Sequence, residues 1–345
     1  MLPAPVALFD LPHREAQARV RDGGICWLTV NPVEYHGPHL SLHNDRLVSL
    51  GLLRRMHTRS FGPGSAEGPL VASDLELGAE PCPGPGTRQV AFLREKEHVL
   101  DACGALLRLG ARRVVLMTFH GAPLHNLALE AGAAWLRRHG VPAVAPFHAV
   151  MAALVELDPA EYAPAFAGIA DDAERAIMLA GLPLDFHAGF FETSVALRLA
   201  PDSVSPSHRL LPPCPDWPEH PVLRAASRVA GWMGRRRLAA ELALAARVAR
   251  WFSLRPFPGY TGRPHRASAE AGDVFVDALV EKLSSVIQAT LFRGEAAPAP
   301  VMAWMAAATL GGRLLPASAP WDSVSDPLAE ASPATTPGPA PSPAA

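Results

Sequence analysis

Residues 25–30 read ICWLTV and residues 113–118 read RVVLMT. Both are short apolar runs with β-branched residues, too brief for helices, and each predicts a strand buried on both faces. Periodicity predicts helices over Arg46–Thr58, Gln89–Leu109 and Asn126–His139. Gly110 closes the second of these as a left-handed C-terminal residue. Val141–Pro146 reads as a third strand, and Gly62–Gly86 as loop. This alternation implies an α/β fold with a mostly parallel sheet sandwiched between helices. Ligands of such sheets bind beyond the carboxyl ends of the strands. The polar, His-rich segments that follow Val30 and Thr118 are therefore expected to meet in space.

Further along, Asp185–Ser194 reads as a polar loop entering a helix over Thr193–Leu199. Val222–Phe252 reads as one long helical region. Its cluster Arg235-Arg236-Arg237 is expected to be a solvated face. Gly259–Gly262 reads as a tight loop and Ala269–Ser285 as a final amphipathic helix. From about Gly294 the composition shifts to Ala, Pro and Ser, ending in SPATTPGPAPSPAA. Such a stretch buries too little apolar surface to order itself. The expected organisation is one domain over 1–293 and a largely disordered C-terminal tail over 294–345.

With 49% hydrophobic residues in 345, the chain can build a large core. Thirty-one basic against 33 acidic residues give a net charge of -2, which leaves no electrostatic case for nucleic acid or an anionic membrane. Cys26, Cys82, Cys103 and Cys214 are scattered without a C-x-x-C pair, so neither a disulfide framework nor a thiolate zinc site is expected. Cys26 and Cys103 read as core fillers. Asp10, His13 and Arg14 come too early for a signal peptide. The apolar stretch Val301–Leu310 is too short to span a bilayer. A cytoplasmic protein is the expectation.

Three segments carry chemistry. In EYHGPHLSLHND, Glu34 and His36 stand two apart, which in extended backbone puts both side chains on one face. A carboxylate and an imidazole so placed suit a borderline ion such as zinc or manganese. Asp45 adds a carboxylate with two oxygens able to bridge two ions. The bland alternative is an ordinary polar loop. In TFHGAPLHN, His120 directly follows a buried strand and is backed by Gly121; the alternative is a helix start with an incidental His. In HAGFFETS, His187 is a candidate for protonating a leaving nitrogen or polarising a carbonyl. Glu192 is a candidate for orienting a ligand or moving protons, against the alternative that Glu192, Thr193 and Ser194 merely cap a helix. No G-x-S-x-G elbow and no plausible Cys nucleophile is present, which disfavours covalent acyl transfer.

These three segments, in this order, resemble the creatininase family over roughly residues 20–285. The resemblance implies an α/β sandwich, a homo-oligomer that is usually a hexamer, and one or two divalent ions, Zn2+ or Mn2+, that activate water to hydrolyse a small-molecule amide C–N bond. It implies Glu34, Asp45 and His120 around a first ion, and His36 with a bridging Asp45 at a second. Members complete the second site with a further Glu, at positions that are Ala122 and Phe190 here. One tight ion and a weak or absent second are therefore expected, unless His125 or Glu192 substitutes. Two rivals follow: a non-catalytic relative with a degenerate second site, and a peptidase with an open cleft.

Overall fold

The computed structural model describes residues 3–22, 24–61, 68–315 and 324. Its first half alternates strands and helices: β1 (Val6–Ala7), α1 (His13–Arg21), β2 (Cys26–Asn31), α2 (Asn44–Phe61), β3 (Leu70–Glu76), α3 (Phe92–Leu109), β4 (Val114–Met117), α4 (Pro123–Arg138) and β5 (Ala143–Val144). The second half is helical: α5 (Phe147–Val155), α6 (Asp172–Gly181), α7 (Phe190–Leu199), α8 (Pro221–Trp232), α9 (Arg236–Trp251), α10 (Ala269–Phe292) and the short α11 (Trp304–Ala308). The five strands pair in the order β1-β3-β2-β4-β5, every pair parallel.

Alternation along β2 and β4 explains the two layers of helices. Trp27, Val115 and Met117 face a core shared with α2, α5, α7 and α10. Cys26, Leu28, Val30, Val114 and Leu116 face the opposite core, shared with α1, α3 and α4. Because side chains leave a strand to alternate sides, a strand covered on both sides must be apolar throughout. That is why ICWLTV and RVVLMT are unbroken runs. Cys26 and Cys103 do lie in the second core.

Four expectations need correcting. The segment read as loop over 62–86 contains β3, whose Leu70, Val71 and Ala72 are buried between β1 and β2 while the rest of the strand is polar apart from Leu75. Three apolar residues followed by SDLE present too short a pattern to announce a strand. The long helical region over 222–252 is two helices, broken at Gly234, whose φ of +74° lies where only glycine is comfortable. The final helix runs on to Phe292. The chain also does not leave the domain at Gly294: Val301 and Met302 are buried in the first core, and α11 follows them. The remainder of the expected tail, 316–345 apart from Val324, lies outside the described residues. Among the described residues, no helix is long and apolar enough to cross a membrane.

Candidate metal centre

β2 and β4 are adjacent and parallel, so the loops leaving their carboxyl ends lie side by side. Asn31, the last residue of β2, ties them together. Its Oδ1 accepts hydrogen bonds from Ser49 Oγ at 2.9 Å, Phe119 N at 3.2 Å and Thr118 Oγ1 at 3.3 Å. Glu34 and His36 sit in the loop after β2, which Glu34 N closes onto Leu42 O at 2.9 Å. Asp45 falls in the first turn of α2, His120 in the loop between β4 and α4, and Glu192 in the first turn of α7. All five side chains are buried.

Each imidazole is aimed by a backbone carbonyl. His36 Nδ1 donates to Glu34 O at 3.1 Å. That leaves Nε2 facing Asp45 Oδ1 at 3.2 Å, and Glu34 Oε2 and Glu192 Oε2 at 3.8 Å each. His120 is turned the other way. Its Nε2 donates to Ala79 O at 3.2 Å, and Nδ1 stands 2.9 Å from Glu34 Oε2 and 3.5 Å from Asp45 Oδ2. A ring nitrogen held to a carbonyl fixes the tautomer, so the opposite nitrogen presents a lone pair, as metal-binding histidines require.

Two sets of three ligand atoms emerge, each within 4.8 Å of one another: Glu34, Asp45 and His120, and His36, Asp45 and Glu192. Asp45 belongs to both, one oxygen toward each histidine. A third grouping joins Glu34 and His36 to His187. The donor chemistry fits one divalent ion per main set, three protein ligands apiece with room for water. Two further observations support the fit. Glu34 Oε2 and Asp45 Oδ2 are buried without any hydrogen-bond donor. Burial opposes charge on the imidazoles, yet Asp45 and Glu34 lift His36 to about 10 and hold His120 well above its usual value. Buried carboxylates at this density demand positive charge, and a cation between them supplies it while leaving both rings neutral.

The HAGFFETS segment divides its labour. Asp185 caps α7, accepting from Phe190 N at 3.0 Å and Phe191 N at 3.4 Å. The following Glu-Thr-Ser residues are thereby released from capping. Glu192 turns to the cluster, with Oε2 accepting from Ala188 N at 2.5 Å; burial pushes its carboxyl up to about 8. Thr193 Oγ1 hydrogen-bonds with His39 Nε2 at 2.8 Å, and Ser194 Oγ accepts from Ser268 N at 3.2 Å. Phe190 does not stand where a carboxylate is missing. Its ring is 1% exposed and packs 4.8 Å from Phe166 and 5.9 Å from Phe275. His187 stacks on His36 at 4.5 Å, and its Nε2 donates to Tyr35 O at 3.0 Å. Burial, then the neighbouring His36, holds it well below the usual histidine range and neutral.

His125, weighed as a substitute ligand, is engaged elsewhere. Its Nδ1 is 2.5 Å from Glu95 Oε1, and its Nε2 is 2.9 Å from Thr118 Oγ1. Thr118 Oγ1 also receives His120 N at 3.0 Å, and Glu95 Oε2 receives Ala79 N at 2.8 Å. The pair thus braces both backbone segments that orient His120. Sequence reading missed Glu80, which lies in the wall beside the cluster. It adopts a left-handed φ of +58° and accepts from Leu124 N at 2.8 Å at the start of α4. Burial pushes its carboxyl up to about 7. An acidic residue in a Gly/Pro-rich loop carries no sequence signal of burial.

A cavity of about 680 Å3 opens from the cluster. A family model described as creatininase, creatinine amidohydrolase, matches residues 10–287. Among solved structures, a crystal structure of creatinine amidohydrolase is similar, with 23% identity and a TM-score of 0.51 over 84% of this chain and 98% of that one. A manganese creatininase shares 22% identity with a TM-score of 0.50, over 83% of this chain and 98% of that one. A putative creatinine amidohydrolase from Bacteroides fragilis shares 18% identity with a TM-score of 0.51, over 80% and 93%. No curated protein sequence matches. The structural likenesses establish the fold, and the family match, spanning most of the residues from which the sheet and the cluster are built, shows that this chain belongs to the creatininase family of metal-dependent amidohydrolases.

Proposed function

We propose that this chain hydrolyses an amide C–N bond in a small molecule, using a two-ion centre. Glu34, Asp45 and His120 hold one ion; His36, Asp45 and Glu192 hold the other. The observation that carries this reading is the second three-ligand set, which Glu192 completes although Ala122 and Phe190 contribute no oxygen. It speaks against the non-catalytic rival, whose main support was a missing carboxylate. When bound, the ions lower the pKa of a coordinated water and polarise the scissile carbonyl. His187 is the proton carrier. It stacks on His36 with its Nε2–H held by Tyr35 O, and burial keeps it neutral at rest, so a proton that reaches it is readily passed on to the leaving nitrogen. Glu192 acts as a ligand rather than as an acid. The cavity is of the size that encloses a small organic molecule, which favours an amidohydrolase over a peptidase working on an extended chain. Val222, Val229 and Trp232 stand exposed along α8, an apolar stripe that supports assembly into a homo-oligomer, a hexamer by family likeness.

Chelation tests the proposal. Removing metal should abolish hydrolysis across a panel of amides, and Zn2+ or Mn2+ should restore it. Full activity in metal-free protein would refute it.

A further inference from the structure

The family match ends at residue 287, yet the wall of the cavity does not. Val301, Met302, Trp304 and Met305 line it, together with residues of α5 and α9. This segment is fastened in place. Arg237 Nη2 donates to Ala299 O and Pro300 O, each at 3.2 Å. Val301 N donates to His148 Nδ1 at 3.3 Å, and Trp304 Nε1 donates to Glu241 Oε2 at 3.1 Å. Arg237, read from sequence as part of a solvated face, is one of these fastenings.

The chemistry of the wall is one-sided. Among the lining residues, the metal cluster and its immediate neighbours supply most of the polar groups, and aromatic and aliphatic side chains dominate the rest. Phe191 bridges the two regions, 6.2 Å from Phe119 and 5.0 Å from Phe275, and Trp251 lies 5.4 Å from His187. A small polar amide would leave most of this surface against water, which is unfavourable. A substrate with a large hydrocarbon group would cover it.

We infer that the substrate is an amide bearing a bulky apolar substituent, and that residues 299–305 form the specificity wall of its pocket. The inference rests on the amidohydrolase reading for the reaction but not for binding. At the polar end the amide meets the cluster; the substituent extends between α5, α9 and the C-terminal segment.

Straight-chain carboxylates of two to twelve carbons, as product analogues, test it by calorimetry and tryptophan fluorescence, with the protein both metal-loaded and chelated. Affinity should rise about fourfold per methylene until the cavity is full. Ala245→Trp, on α9 and lining the cavity away from the ligands, should bring that plateau to shorter chains and leave acetate binding unchanged. Met305→Ser, in the C-terminal segment itself, should flatten the slope without filling space. Affinity that is independent of chain length, or a plateau that neither variant moves, overturns the inference. The two readings fail separately. Chain-length-dependent binding without hydrolysis of the matching amides refutes the reaction and keeps the pocket. Hydrolysis of short polar amides with no chain-length dependence does the reverse.

Discussion

Glu192→Gln separates the role of this side chain as a ligand from any role in stability. In the metal-free protein, burial pushes the Glu192 carboxyl up to about 8, so at pH 7 it is mostly protonated. Gln is close to isosteric with the protonated acid and still accepts from Ala188 N, so metal-free stability should change by no more than about 1 kcal/mol. The second ion should respond very differently. Glu192 is one of three protein ligands in its set, and the other two are His36 and the shared Asp45. Losing a unit charge in direct contact with a dication forfeits several kcal/mol even at an effective dielectric of about 20, most of it offset by the carboxylate's own desolvation. Since disturbing an outer partner of a metal ligand already costs 10–100-fold, losing the ligand itself should weaken that ion by at least about 100-fold, about 2.7 kcal/mol. The set built on Glu34, Asp45 and His120 should keep its ion. The assay is metal content after dialysis, with competitive titration against a chromophoric chelator: two ions for the native chain, one for the variant. Two tight ions in the variant, or only one in the native chain, would refute the reasoning.

Glu80 gives a pH signature. Its native carboxyl holds a proton up to about 7 against an ordinary 4.5, so the native state binds more protons than the unfolded state between these values, and stability falls as pH rises through that window. After discounting for partial exposure, the loss is about 2 kcal/mol. Urea unfolding of metal-free Glu80→Gln against the native chain should show a difference that grows in the variant's favour from pH 4.5 to 7.5; a difference flat in pH would contradict this origin. Phe190→Glu, which on sequence grounds would strengthen the second site, should instead lower stability by about 3–5 kcal/mol, because it places a carboxylate among Phe166 and Phe275. A gain in metal affinity at unchanged melting temperature would reverse that conclusion. Deleting residues 325–345 should leave the melting temperature within about two degrees. By contrast Met302→Ala, inside the core, should cost about 2–4 kcal/mol in denaturant unfolding.

Taken alone, the sequence determined the features that depend on local chemistry. Unbroken apolar runs announced β2 and β4, because strands covered on both sides leave no polar positions. The rhythm of strand and helix implied the parallel sheet, and Gly110 marked the end of α3. Spacing brought forward Glu34, His36, Asp45 and His120, since residues just past two neighbouring parallel strands must converge. What it left open were choices made by rotation and by distant partners. Phe190 and Glu192 lie two apart in the first turn of α7, about 200° around the helix axis, so one faces the core and the other the cluster. Which is which depends on where Asp185 starts the helix and on the aromatic core that takes Phe190. Likewise His125 has the chemistry of a ligand, but it is claimed by Glu95, thirty residues earlier in the chain. β3 was hidden because its pattern is half polar, and residues 299–305 because Ala, Pro and Ser around them resemble a tail. Both are held by contacts with partners far away in sequence, and only the tertiary structure decides such contacts.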